Sequence, residues 1–371
     1  MKPLWTDSTV QRFRKRFEAL YGARADACLG RLAMFVGRYG VGSGLFLGRQ
    51  AARPLTEQDA VLITYGDTIR RADEKPLRTL RRFLEERLTG VVNTVHILPF
   101  FPYSSDDGFA VTDYRTVRPE LGRWQDIRAI GARFRLMFDL VLNHASVRGP
   151  WFQDYLNGIL PGRRYFLERD AGEDLSQVVR PRSSPLLTEV LTPLGPRRIW
   201  TTFGADQADL NFANPDVFFE MLDILFLYLS MGAGMIRLDA IAYLWKEPGT
   251  PCIHLPQTHE IVKLLRDILS YVSPQAILVT ETNVPHAENV SYFGAGDEAH
   301  MVYRFGLPPL VLHALRSGSA RPLTRWAEGL SAPPEGCAFL NFTASHDGIG
   351  LRPIEGILTA RERDEFLKGL L

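Results

Sequence analysis

Cysteine is scarce in this chain: Cys28, Cys252 and Cys337 are the three among 371 residues. Far apart and odd in number, they argue against a disulfide framework and a zinc site, and read as buried free thiols. An excess of charge is also missing. Forty-three Lys and Arg oppose 42 Asp and Glu, for a formal net charge of +1, so nothing supports a nucleic acid or a charged membrane as partner. Long hydrophobic runs are absent too. The most apolar helix-like stretch, residues 218–231, is interrupted by Glu220 and Asp223 and is too short to span a bilayer. The N-terminus lacks a leader's apolar core, which makes a cytoplasmic protein the default. No repeat of fixed period and no low-complexity tract is visible.

What is present is a soluble globular composition, 46% hydrophobic and 23% charged, in a length that suits one large domain or two ordinary ones. Residues 8–50 look helical, with Phe13, Phe17, Leu20, Leu29, Leu32 and Phe35 at three- and four-residue spacing. Gly40-Val-Gly-Ser-Gly44 breaks that pattern and reads as a loop; its glycine spacing and the helix before it do not fit a phosphate-binding fingerprint. From residue 60, apolar runs alternate with helix-like segments. The strand candidates are residues 60–65, 91–98, 134–142, 233–239, 276–281, 300–304 and 338–343. Helical patterns fall at residues 76–88, after Asp126, and at 218–231, 260–272 and 359–371. Repeated strand–helix units predict a parallel sheet or barrel of the TIM (β/α)8 type. Seven strand candidates are one short of closure, so either a strand carries no clear pattern or the barrel is incomplete, and an incomplete barrel is the expectation. The long gap after the third strand, residues 145–210, is rich in Arg, Pro, Ser and Gly and reads as a small inserted subdomain. The expected organisation is a helical extension over 1–55, a catalytic barrel over 56–144 and 211–371, and the insert over 145–210.

Four segments carry acids or histidines at or near the ends of these runs: Asp139-Leu-Val-Leu-Asn143-His144, Arg237-Leu-Asp239, Glu281-Thr-Asn283 and Ser345-His346-Asp347. Parallel strands gather their C-terminal ends on one face, where such folds hold their chemistry. Two carboxyls about 5–5.5 Å apart suit retaining cleavage of a glycosidic bond, one attacking the anomeric carbon and one donating a proton. Asp239 and Glu281 end consecutive strand candidates. Arg237 shares a strand face with Asp239 and would keep it ionised, while an apolar run before Glu281 would raise its pKa. Arg237 and Asp239 also fit a structural ion pair inside a barrel. His144, His346 and Asp347 are suitable ligands for sugar hydroxyls. Asp139 is expected to hold a loop through backbone hydrogen bonds. After the second strand, Asp106 and Phe109 fit a sugar subsite of carboxylate and ring, although Phe109 equally fits ordinary aromatic core.

These segments, together with His96-Ile-Leu-Pro-Phe-Phe-Pro102, Asp106-Asp-Gly-Phe109, Arg180-Pro-Arg-Ser-Ser-Pro185, Trp200-Thr-Thr-Phe203, Asp206–Asn211 and Arg237–Tyr243, resemble the α-amylase superfamily. Within it the chain looks most like the sucrose phosphorylase and glucosylglycerate phosphorylase subfamily. The resemblance runs from about residue 60 to 350. It implies Asp239 as nucleophile, Glu281 as acid/base and Asp347 as transition-state stabiliser. It also implies that Asp106, His144, Arg237 and His346 bind the glucosyl unit above Phe109. Arg182, which could equally be a surface arginine, matches a region that helps bind phosphate or the acceptor. Many relatives hold calcium partly through a histidine at the position of Tyr243; a phenol is a poor ligand for that ion, so no metal and no cofactor is expected. The implied partners are a small carbohydrate and inorganic phosphate, and nothing sets the oligomeric state. Members of this group continue past the His-Asp motif into an eighth strand and a C-terminal β-domain, so a fragment with a barrel open along one edge is expected. A phosphorylase, a glucosidase or transglucosylase, and an inactive barrel serving as a binding module all stay open on this reading.

Overall fold

A computed structural model describes residues 5–42, 55–170 and 172–368. Its strands are β1 (Val61–Thr64), β2 (Thr94–Ile97), β3 (Arg135–Val141), β4 (His144–Ser146), β5 (Leu187–Thr192), β6 (Gly195–Trp200), β7 (Gln207–Asp209), β8 (Ala233–Asp239), β9 (Ile277–Thr280), β10 (Met301–Tyr303) and β11 (Ala338–Leu340). The α-helices are α1 (Asp7–Tyr21), α2 (Ala25–Gly42), α3 (Pro76–Phe83), α4 (Trp124–Gly131), α5 (Pro150–Leu156), α6 (Pro215–Ser230), α7 (Pro256–Val272), α8 (His286–Val290), α9 (Leu307–Ser317), α10 (Arg321–Glu328) and α11 (Ala360–Lys368). One sheet runs β1-β2-β3-β8-β9-β10-β11, with every neighbouring pair parallel. Among the described residues β1 and β11 are its two unjoined edges, so the fold is an incomplete TIM barrel.

Side-chain alternation sorts these strands into two layers. Leu136, Phe138, Ile236, Leu238, Leu278 and Val302 face outward into the main core under the helices. Met137, Met235, Ile277, Val279, Met301 and Tyr303 face inward and form a separate cluster. The register pairs Met137 with Met235, Asp139 with Arg237, and Val141 with Asp239. Across the next interface Met235 meets Ile277 and Arg237 meets Val279. The inner face is therefore apolar at the N-terminal ends of the strands and ionic toward their C-terminal ends.

Helix α6 explains the apolar stretch at residues 218–231. It is buried on nearly all sides, from Val217 to Leu229, because β8 lies on one side and α2 on the other. Phe219 stacks on Phe17 of α1 at 6.0 Å between ring centroids, and Phe226 meets Tyr39 of α2 edge-on at 5.1 Å. Arg16 ties α1 to α7 through Glu260 and Asp267, and reaches Asp297 beyond it. No helix among the described residues is long and apolar enough to cross a membrane.

The segment after β3 closes on itself. Antiparallel β4 and β7 pair His144 with Asp209 and Ser146 with Gln207, and a β5–β6 hairpin lies between them in sequence. The seven sheet strands fall within the runs read from the sequence, with their ends trimmed. Three details differ. Helix α2 continues through Gly42, so Gly40 to Gly42 belong to the helix that packs on α6, while Ser43 and Gly44 lie outside the described residues. The helix starting at Pro76 changes to a π-turn over Leu84–Leu88. Strand β11 stops at Leu340, so His346 and Asp347 stand farther into the loop than a motif at a strand end would. All three cysteines are free thiols; Cys28 and Cys252 are buried and Cys337 is half-buried.

Candidate active site

The ionic end of the inner face centres on Arg237, whose side chain is only 2% exposed. Its Nη1 donates to Asp139 Oδ1 at 2.6 Å and to Asp239 Oδ1 at 2.9 Å. Its Nη2 lies 3.9 Å from Glu281 Oε2. Asp239 is the last residue of β8, and the chain turns sharply there: Ala240 has φ +49°, a left-handed conformation costly for a residue with a Cβ. That turn aims the Ala240 N–H at Glu281 Oε2, 3.0 Å away. Glu281 follows β9, and its own N–H donates to the Leu238 carbonyl, continuing the register of Leu238 with Thr280. Asp239 and Glu281 are therefore neighbours across adjacent strands, whose spacing is about 4.8 Å.

Burial pushes the Asp239 carboxyl well above the ordinary range; Arg237 opposes the rise and Glu281 adds to it. Glu281 is raised by the same burial, with Arg237 opposing and Asp347 adding. Burial by itself would protonate Asp239 first. The contacts differ between the two acids: the guanidinium bonds Asp239 directly and only approaches Glu281, while Glu281 accepts from the Ala240 N–H, so Arg237 favours the charged form of Asp239 more than that of Glu281.

Asp139 differs from the sequence reading. It bonds side chains, not backbone, because it lies within β3 with its carboxyl on the inner face. His96 Nε2 is 2.7 Å from its Oδ2, and Arg237 takes the other oxygen. Burial would raise this carboxyl, but His96 and Arg237 outweigh it and hold the pKa at about 2. Asp139 therefore anchors Arg237.

The loop after β2 brings Asp106 and Phe109 to the same face. Asp106 and Asp107 both have positive φ, and Gly108 is needed where the loop crosses Pro99: a Cβ there would lie 2.8 Å from the Pro99 carbonyl oxygen. Gln207 Nε2 donates to Asp106 Oδ2 at 2.8 Å. Burial lowers the pKa of His144, so its ring is neutral. Its Nε2 lies 3.1 Å from both the Phe109 carbonyl and Gln207 Nε2, and its Nδ1 lies 3.3 Å from Asn143 Nδ2. His346 stacks on Phe109 with ring centroids 5.2 Å apart and planes at 11°. Its Nε2 is 3.4 Å from Asp347 Oδ2, and the Asp347 side chain is half exposed. Behind His144, Lys246 Nζ is buried between Asp209 Oδ2 at 2.5 Å and Asn143 Oδ1 at 2.6 Å. This lysine joins the β4–β7 pair to the segment after β8.

All nine residues singled out from the sequence line one cavity of about 540 Å³: Asp106, Phe109, His144, Arg182, Arg237, Asp239, Glu281, His346 and Asp347. They are not equally enclosed. Arg182 is exposed and makes no hydrogen bond or ion pair with a described residue. A larger opening of about 1130 Å³, between the free edges β1 and β11, shares only Tyr65 and His346 with this cavity and contains none of its carboxylates. Sequence reasoning assigned no role in the cavity wall to Phe203 or Tyr243, which line it, nor to Gln207, which holds Asp106. Arg352, in the loop beyond Asp347, had no signal at all. Among the described residues, no group of three or more His, Cys, Asp or Glu is placed to hold a metal ion.

Known proteins resemble this chain along most of its length. The α-amylase catalytic-domain family matches residues 89–328. A glucosylglycerate phosphorylase of Allomeiothermus silvanus is 53% identical over 344 residues, covering 92% of this chain and 61% of that protein. One from Spirochaeta thermophila is 54% identical over 318 residues, covering 86% of this chain and 54% of that protein. The chain thus spans little more than half the length of these relatives. Among solved structures, the sucrose 6F-phosphate phosphorylase of Thermoanaerobacter thermosaccharolyticum superposes with a TM-score of 0.73 at 27% identity, over 84% of this chain and 64% of that one. The family match covers well over half of the sequence and contains both strand-end acids, Asp239 and Glu281: the chain belongs to the α-amylase family.

Proposed function

We propose that this chain carries the catalytic centre of a retaining α-glucoside phosphorylase. It would move a glucosyl unit from glucosylglycerate or sucrose to inorganic phosphate, giving α-glucose 1-phosphate. The observation that carries this reading is the pairing of Asp239 with Glu281 at the ends of β8 and β9 around one guanidinium. In the first half-reaction Asp239 Oδ attacks the anomeric carbon as the bond to the leaving oxygen breaks, and Glu281 gives that oxygen its proton. A covalent β-glucosyl ester on Asp239 results. In the second half-reaction a phosphate oxygen attacks the same carbon, the ester bond breaks, and Glu281 recovers a proton from phosphate. Asp347 stabilises the oxocarbenium-like transition states. Asp106, His144, Arg237 and His346 hold the glucosyl hydroxyls, Phe109 lies beneath the ring, and Arg182 meets phosphate or the acceptor. Glycerate is favoured over fructose as the partner of glucose because the more similar relatives bear the name glucosylglycerate phosphorylase.

The test is phosphate-dependent release of glucose 1-phosphate by the purified chain, with glucosylglycerate and sucrose offered in parallel. The expected result is release only when phosphate is present, faster from glucosylglycerate. Equal release of glucose with and without phosphate would make the chain a glucosidase or transglucosylase. No turnover of either donor would leave an inactive barrel that serves to bind.

A further inference from the structure

His96 and Asp139 are buried ionisable groups of the inner face with no part in the reaction above. His96 lies on β2, fully buried, and does not line the cavity. The sheet register sets it one strand from Asp139 and two from Arg237: His96 meets Met137 of β3, and Asp139 of β3 meets Arg237 of β8. Asp139 accepts two hydrogen bonds, from His96 Nε2 at 2.7 Å on Oδ2 and from Arg237 Nη1 at 2.6 Å on Oδ1. A carboxyl with a pKa of about 2 is an acceptor only, so His96 Nε2 carries the hydrogen between them. The same Arg237 nitrogen donates to Asp239 at 2.9 Å. Four side chains on three adjacent strands thus form one line of hydrogen bonds, from His96 to the acid read above as the nucleophile.

Arg237 serves two aspartates with one nitrogen. Its Nε is buried without a hydrogen-bond partner and its Nη2 stands 3.9 Å from Glu281 Oε2, so Nη1 makes both bonds. Asp139 is the closer of the two, and both compete for one guanidinium in a buried site, where such interactions are strong. His96 weights that competition by occupying Asp139 Oδ2. Without that donor, Asp139 is free to turn both oxygens to the guanidinium, the paired arrangement that arginine favours, and to draw it toward β3. The other charged or titratable groups facing Asp239 are Glu281 at the end of β9, Asp347 beyond β11 and Tyr114 in the loop after β2; His96 is also faced by His346. Among the described residues none of these donates a hydrogen bond to Asp139.

We propose that His96 is a positioning residue for Asp239: by holding Asp139 Oδ2 from β2, it leaves the Arg237 guanidinium to the strand-end acid. This rests on the glycosyl-transfer reading above and deepens it, because it names what keeps the attacking carboxylate charged and aimed. His96 acts only through Asp139 and Arg237, from behind the cavity wall.

The test is an NMR titration of the whole 371-residue chain with isotope-labelled aspartate carboxyls, the Asp239 signal being assigned by its loss in Asp239→Asn. In His96→Leu, Asp239 is expected to titrate about one pH unit higher than in the wild type, because a guanidinium drawn to Asp139 favours its charged form less. His96→Gln puts an amide N–H near the place of Nε2 and should recover part of that shift. In an Asp139→Asn background, His96→Leu should move Asp239 by less than about 0.3 pH unit, because the link between them is gone. A general loosening of the fold would not be cancelled in that way. With glucosylglycerate or sucrose as donor, the acidic limb of kcat/KM should move in the same order. Where His96→Leu does not melt cooperatively, His96→Asn, whose amide stops short of Asp139, takes its place. An unmoved Asp239 titration, or a shift that survives in Asp139→Asn, would overturn the proposal while leaving phosphorolysis intact. The expected order of titrations without turnover of either donor would keep the positioning role and sink only the reading of activity.

Discussion

Asp239 and Glu281 end neighbouring parallel strands at the same level, and the Arg237 guanidinium faces both, 2.9 Å from the first and 3.9 Å from the second. The asymmetry of those two distances makes Arg237 favour the charge on Asp239 more than on Glu281, against the burial that raises both acids.

Replacing Asp239 by Asn removes the proposed attacking oxygen while keeping the size of the side chain. Turnover is expected to fall by roughly 10⁴–10⁶, the range seen when a nucleophile is removed. Mass spectrometry of the wild type mixed with a slow 2-fluoro-glucosyl donor should detect one added sugar, and the Asn variant should carry none. A labelled Asn variant would refute the assignment.

Replacing Glu281 by Gln removes the proposed proton donor. Glucosides with poor leaving groups should slow by about 10²–10⁴. α-Glucosyl fluoride, whose leaving group needs no proton, should slow far less. In the wild type, kcat/KM should fall as pH rises through the raised Glu281 pKa, and the variant should lack that alkaline limb. An unchanged alkaline limb would assign the proton to another group.

Asp139 makes stability depend on acid. Its folded pKa is held at about 2, below that of an unfolded aspartate. A depressed carboxyl contributes its full stability above the unfolded pKa near 3.9 and loses it as pH falls toward 2, which amounts to about 2 kcal/mol. Urea unfolding at pH 5 and pH 2.5 should reveal a larger loss in the wild type than in Asp139→Asn. Parallel curves for the two proteins would contradict this.

Lys246→Met leaves the Asp209 carboxylate buried without its cation. Breaking such a pair is expected to cost about 3–5 kcal/mol. Hydrogen exchange should speed up first across β4 and β7, where Asp209 faces His144. Global loosening with no early change in that pair would show that Lys246 does not act as the tie between them.

Phe17→Ala tests the docking of the first helix. Phe17 is fully buried against Phe218 and Phe219. The truncation is expected to cost about 3–5 kcal/mol. A melting temperature within a degree of wild type would mean that α1 contributes little to the barrel.

The strands were legible because each is a short apolar run with buried faces on both sides, and the pattern is local. Asp239 and Glu281 were legible for the same reason, since a charged residue at the end of such a run stands out. His96 with Asp139 was not. Both sit inside apolar runs, and only the inner-face register brings their side chains within 2.7 Å. Lys246, Gln207 and Arg352 lie in segments with no periodic signal, where a lone polar residue reads as surface.

The sequence by itself determined the succession of strands and helices and the strand-end acids that could react, because alternation and composition act between near neighbours. Tertiary structure alone decided which charges meet. Gln207 finds Asp106 across 101 positions, Lys246 finds Asn143 across 103, and Arg237 finds Asp139 across 98. The strength of such contacts depends on burial and on distances of a few ångströms, and both exist only once parallel strands have set their register and the insert has closed over the strand ends.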